Sequence, residues 1–149
     1  MDKIIIKNIK YLVSGDINNP LIDADTIYIE DKYFKEIGKF DQMNFGKNKI
    51  RIIDVQGMTV IPGLIDPHVH PVIGDWHPRQ NVIGWMENAF QAGVTTMISQ
   101  GCCHLPGRPR DASGTKALAI LAKKVYDNFH PGGGLKVFGG SVILEPGLT

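Results

Sequence analysis

Gly57-Met58-Thr59-Val60-Ile61-Pro62-Gly63-Leu64-Ile65-Asp66-Pro67-His68-Val69-His70 is the stretch whose reading decides the fold. An apolar run ends there in two histidines spaced i, i+2. Residues two apart in a strand point to the same face. His68 and His70 can therefore aim their rings at one point, where a strand leaves the core. Neutral imidazoles are good ligands for zinc, iron and nickel. A His-x-His alone is a weak signal, so its meaning rests on the residues around it.

Upstream, the chain reads as β structure. Residues 3–13 are rich in β-branched side chains and predict one or two strands. Residues 14–20 carry Gly, Asp, Asn-Asn and Pro and predict a loop. Residues 26–30 alternate like a half-buried strand, Asp31-Lys32 makes a tight turn, and 33–37 return as the second arm of a hairpin. Further strands fall at 50–55 and 59–61, with Gly57 turning between them. Residues 1–61 thus predict part of a small β-sandwich domain, with too few long strands to close one alone.

Downstream, strands alternate with helices. Residues 64–66 form a short apolar strand leading to the histidines, and 71–78 a loop. Residues 79–92 are helical, with Val82, Met86, Ala89 and Phe90 on one face and Gly93 at the C′ position. A strand at 94–99 and a loop at 100–110 come next. A second helix at 113–129 has Leu118, Leu121, Ala122, Val125 and Phe129 as its apolar stripe. Gly132-Gly133-Gly134 breaks it before a strand at 135–144. Gly139-Gly140 in that strand suggests close backbone approach in a narrow barrel or near a ligand. The β-α-β-α-β order means parallel strands with helical crossovers. The fold class is α/β: residues 62–149 predict the first three strands and two helices of an incomplete (β/α)8 TIM-like barrel. A complete barrel takes about 250 residues, and this chain has 149.

Composition narrows the function classes. The chain is 43% hydrophobic and 21% charged, with a net charge of +1. That balance gives no electrostatic case for nucleic acid or an acidic membrane surface. No apolar run approaches the length of a membrane span, and no signal peptide is visible. Cys102 and Cys103 are adjacent, which makes no disulfide framework. A cytoplasmic location is the expectation.

The pattern Ile53-Asp54-x-x-Gly57-x-x-Val60-x-Pro62-Gly63-Leu64-Ile65-Asp66-x-His68-x-His70 resembles the N-terminal signature of the amidohydrolase superfamily. Gly93-Val94-Thr95-Thr96-Met97-Ile98 also matches the segment after the first barrel helix in that superfamily. Asp111-Ala112-x-Gly114-Thr115-Lys116-Ala117-Leu118 and Val142-Ile143-Leu144-Glu145-x-Gly147 extend the likeness toward its cyclic-amide hydrolases. The resemblance implies a metal-dependent hydrolase that breaks a cyclic amide C–N bond with metal-activated water. It implies a divalent metal, zinc first, with iron or a binuclear pair as alternatives. His68 and His70 are the implied metal ligands. The family's remaining ligands and its acid/base aspartate come from later strands, so no catalytic residue is assigned within these 149 positions. The implied partners are a small cyclic amide, the missing C-terminal portion and, for the complete enzyme, a homo-oligomer.

Further candidates stay open. Asp66 either orients a histidine from behind or caps the strand end. Arg79, His104 and Arg108 are candidates for a substrate loop, where an arginine could pair bidentately with a carboxylate; the alternative is solvated loop residues. His77 and Glu145 also fall after parallel strands, at the face where barrel active sites form. His130 suits a helix C-terminus. Alternatives to the enzyme reading are a non-catalytic truncated fragment, half of a split enzyme, or a stand-alone metal-binding module. Another cyclic amidohydrolase, such as a dihydroorotase-, hydantoinase- or deaminase-like enzyme, is also open. The 149-residue chain alone is expected to be inactive.

Overall fold

The computed structural model describes residues 2–46, 49–71, 82–102 and 107–141. It divides into two compact units, Met1–Pro62 and Gly63–Thr149.

The first unit is built of short strands: β1 (Lys3–Lys7), β2 (Tyr11–Val13), β3 (Leu21–Ile22), β4 (Thr26–Glu30), β5 (Tyr33–Gly38), β6 (Arg51–Asp54) and β7 (Thr59–Val60). They form a four-stranded sheet in the order β5-β4-β1-β6 and a three-stranded sheet in the order β3-β2-β7. The stretch at 3–13 is therefore two strands in two sheets, broken by Asn8 at φ 60°. Asn tolerates that left-handed conformation better than most residues. The hairpin β4–β5 turns through Asp31 and Lys32, both at positive φ. β3 was not expected; two residues are too few to show a period.

β1 pairs in parallel with β6, and β2 in parallel with β7. Two chain segments thus pass side by side from one sheet into the other, and their corners interlock. Val55 N–H donates to the Lys7 carbonyl and Gly57 N–H to the Asn8 carbonyl. The Asp54 carboxylate accepts from Asn8 Nδ2 at 2.8 Å and from the Gln56 N–H at 2.9 Å. Asp54 and Gly57 of the sequence signature are corner residues: one ties two turns together, and the other takes φ 82°. Ile9, Leu12, Ala24 and Ile27 form the buried layer that both sheets share.

The second unit contains β8 (Leu64–Val69), α1 (Val82–Gln91), β9 (Val94–Ser99), α2 (Ala112–Asn128) and β10 (Lys136–Phe138). Its sheet runs β10-β9-β8, parallel throughout. This is the strand-helix alternation expected of the start of a barrel. Gly93 ends α1 at φ 99°, and the Asp111 carboxylate caps α2 by accepting from Gly114 N–H at 2.8 Å. Val69, Met86, Met97, Ala122, Tyr126, Leu135 and Val137 make the core between helices and sheet. The start of the expected first helix (79–81), the Val82 side chain, and 142–144 of the third strand lie outside the described residues.

Three expectations need correction. β8 does not stop at Asp66 but runs through Pro67 to Val69; a proline inside a strand argues against strand, which hid its length. Of the expected α2 stripe, Ala122 is buried and Leu118 and Phe129 pack against the core, but Leu121 is 52% exposed, and Thr115, Ala119 and Tyr126 are buried in its stead. The reason lies in the Gly139-Gly140 pair, which approaches that helix and not a ligand. A Cβ on Gly139 would sit 2.6 Å from Tyr126 and 3.1 Å from the Ala122 carbonyl oxygen; one on Gly140 would meet Lys123 at 3.0 Å. The small residues Ala119 and Ala122 lie where the helix comes that close to the chain after β10. No helix among the described residues is long and apolar enough to cross a membrane.

The corner chemistry has a pH consequence. The Asn8 amide, helped by the Gln56 N–H and Lys7, holds the Asp54 carboxyl below its ordinary value of 3.8. Thr26, with Phe40 N–H and Lys39, does the same for Asp25. A depressed folded-state pKa adds stability above the unfolded value and loses it as pH falls through the folded one. Asp54→Asn is therefore expected to lower the urea midpoint at pH 7, with the gap to wild type closing below about pH 4. A gap that stays constant from pH 7 to pH 2 would contradict this.

Candidate metal centre

Period-two alternation divides the end of β8. Val69 is buried in the helix-side core, so its neighbours His68 and His70 take the other face. The pairing with β9 is uneven here. Asp66 faces Met97 and Val69 faces Ser99, so β8 spends one more residue than β9 on the same step. Such a bulge leaves a residue unpaired and re-aims the side chains beside it. Pro67, which has no N–H to give to a ladder, falls within it.

The bulge frees the His68 N–H, and the Asp66 carboxylate accepts it at 3.1 Å. Asp66 thus acts on the backbone of the histidine pair, in the manner of a strand-end cap. From the other strand, Gln100 Nε2 donates to the Pro67 carbonyl at 3.2 Å and Gln100 N–H to the Val69 carbonyl at 2.8 Å. The two residues either side of His68 are therefore held through their carbonyls.

The rings meet. His68 Nε2 lies 3.1 Å from His70 Nε2, with the ring planes at 73°. His70 Nδ1 lies 3.3 Å from the Gly101 carbonyl oxygen. A carbonyl can only accept, so this contact assigns the proton to Nδ1 and leaves the His70 Nε2 lone pair directed at His68. A zinc–nitrogen bond is about 2.0–2.1 Å, and two such bonds spanning this gap enclose an angle of about 100°. Two neutral imidazoles with converging Nε2 atoms fit one divalent ion. Among the described residues, no group of three or more His, Cys, Asp or Glu could hold one.

Of the other candidates, Arg108, His130 and Cys102 lie among the described residues. Arg108 is half-buried on the segment leading into α2. Arg79, His104, His77, Glu145 and Cys103 lie outside the described residues. His130 comes after α2, its Nδ1 3.4 Å from the Leu135 carbonyl oxygen. Cys102 is buried and its Sγ donates to the Pro71 carbonyl at 3.7 Å. Sequence reasoning missed Ser99, Gln100 and Gly101 as supports of the histidines. The available signal was topological: parallel neighbours end at the same edge, so the residues just after β9 must adjoin those at the end of β8.

Comparison with known proteins gives the lineage. Enamidase of Eubacterium barkeri is 53% identical over 149 residues, which is 100% of this chain and 38% of that protein. A crystal structure of enamidase, described as a new member of the amidohydrolase superfamily, superposes with a TM-score of 0.87. Its identity is 51%, over 99% of this chain and 38% of that one. The chain belongs to the amidohydrolase superfamily. Dihydroorotase of Clostridioides difficile (strain 630) is 36% identical over 76 residues, 51% of this chain and 17% of that protein. No family model matches the sequence. The chain spans 38% of the length of the enamidase it matches. The superfamily is one of generally metal-dependent hydrolases.

In this amidohydrolase strand, Asp66→Ala removes the protein acceptor of the exposed His68 N–H, and the lost hydrogen bond is expected to cost about 1 kcal/mol. Asp66→Asn keeps an acceptor oxygen and should recover most of it. Chemical denaturation of the three proteins at pH 7 checks the order; equal stability of wild type and Asp66→Ala would remove the capping role.

Proposed function

We propose that this chain supplies the first metal-holding strand of an amidohydrolase that opens a cyclic amide, with zinc as the divalent ion. One observation carries the reading. His68 and His70 converge their Nε2 atoms at 3.1 Å, at the end of the first parallel strand, in a chain 53% identical to an enamidase. Iron or a binuclear pair would be held by the same two residues.

The chemistry that such an ion supplies when bound is Lewis acidity toward water and an amide carbonyl. The chain's own residues do the holding. His70 presents Nε2 because Gly101 takes its Nδ1 proton in a hydrogen bond. His68 presents Nε2 from a backbone fixed by Asp66 and Gln100. Arg108, and Arg79 and His104 beyond the described residues, are proposed for the substrate loop, where a guanidinium would recognise a substrate carboxylate. The substrate is proposed as a small cyclic amide of the lactam, hydantoin or dihydropyrimidine kind. The complete enzyme is proposed as a cytoplasmic homo-oligomer that builds its site with residues of later strands.

Among the described residues, two donors fall short of the three or four protein ligands of ordinary zinc sites. That observation favours a second reading for the 149-residue chain by itself: it binds zinc weakly and turns nothing over. Calorimetric titration with zinc tests both parts. His68→Ala and His70→Ala are each expected to weaken zinc binding by about tenfold or more, with no turnover of a cyclic amide by the chain alone. Unchanged affinity in both variants would overturn the metal assignment. Zinc-dependent turnover by the purified chain would overturn the need for further ligands.

A further inference from the structure

Ser99 is fully buried, at 0% exposure, at the last position of β9. A serine there has to satisfy its hydroxyl inside the protein. Its Oγ accepts from the Gly101 N–H at 3.2 Å, closing a turn two residues long. The Ser99 carbonyl in turn accepts from Ser141 Oγ at 2.5 Å, which ties the turn to the chain leaving β10. Gly101 is buried and takes φ 97°, a conformation that glycine enters at little cost. The Gly101 N–H and carbonyl belong to successive peptide units joined at the Cα, so the bond to Ser99 holds φ of Gly101, an angle that glycine leaves soft. The Gly101 carbonyl is the group that accepts from His70 Nδ1.

We propose that Ser99 is a positioning residue for His70: its hydroxyl fixes the Gly101 turn, and the Gly101 carbonyl then holds His70 with the proton on Nδ1 and the lone pair on Nε2. The proposal rests on the reading of His70 as a metal ligand for its purpose, but not for its geometry. Without the Ser99 acceptor, the buried Gly101 N–H is orphaned. The unit that carries it then turns about φ of Gly101 toward another acceptor, and the change in φ swings the Gly101 carbonyl away from His70. The imidazole then loses one of the contacts that hold its proton on Nδ1, and the Nε2–H form gains population. Metal binding has to pay for restoring the Nδ1–H form, which weakens it without removing any ligand.

The test uses the metal-free 149-residue chain labelled with 15N in histidine. Proton–nitrogen correlation spectra near pH 8, above the ordinary histidine range of about 6.5, report which ring nitrogen carries the proton. Wild type is expected to show His70 as the Nδ1–H form. Ser99→Ala should show mixed or Nε2–H signals, and Ser99→Thr, which keeps the hydroxyl, should restore the wild-type pattern. An unchanged Nδ1–H form in folded Ser99→Ala overturns the proposal. A mixed tautomer in wild type overturns it as well, with no variant needing to fold. Cobalt(II) titration, read by its visible absorption, is the second arm. Ser99→Ala should bind about 10- to 100-fold more weakly than wild type. If wild type binds no cobalt(II) while the tautomer still changes in Ser99→Ala, the positioning stands and the metal reading falls.

Discussion

The parallel pairing of β8 with β9 is the constraint on which the rest depends. It fixes which residues end at the same edge, and so which can meet. The second of its two uneven steps, between Asp66 and Val69 on one side and Met97 and Ser99 on the other, sends Val69 into the core and turns the two histidines out. A regular ladder would pair alternate N–H groups of β8 with β9. The bulge withdraws one N–H and a proline removes another, and the chain satisfies what is left with the Asp66 carboxylate and the Gln100 side chain. A site built on a strand is held by two neighbours in this way, more tightly than one built on a loop.

The signature residues divide by task. Asp54 and Gly57 belong to the interlocked corners of the first unit, where they bond to the segment around Asn8. Gly63 is required because a Cβ there would fall 2.0 Å from Thr95 Oγ1; β8 could not enter the sheet beside β9 with a larger residue. Only His68 and His70 face the centre itself. One sequence pattern therefore records a corner, a close approach and a converging histidine pair, three unrelated physical demands on one chain.

Close packing explains the glycines of the second unit in the same terms. Phe90 of α1 lies against the Gly132-Gly133-Gly134 turn, where a Cβ on Gly132 or Gly134 would approach its ring to 2.6 or 2.5 Å. Gly139 and Gly140 let α2 down onto the sheet. In both places a helix comes closer than a side chain would permit, and the small residues Ala119 and Ala122 complete the contact. Exposed Ile120 and Leu121 lie off that contact.

The sequence by itself determined the β-rich first unit, the strand-helix alternation of the second, the corner glycine, the helix end at Gly93, and the convergence of the two histidine rings. These are local properties: periodicity, turn chemistry and spacing operate over a few residues. It left open everything that depends on a neighbour distant in the chain. The phase of α2, the run of β8 through Pro67, the partner of Asp66, and the roles of Ser99, Gln100 and Gly101 were decided only by tertiary structure. The physical reason is one of distance along the chain. Residues 66 to 70 and 97 to 101 share an edge only because a helix returns the chain in parallel, and no local pattern states the register at which they then meet.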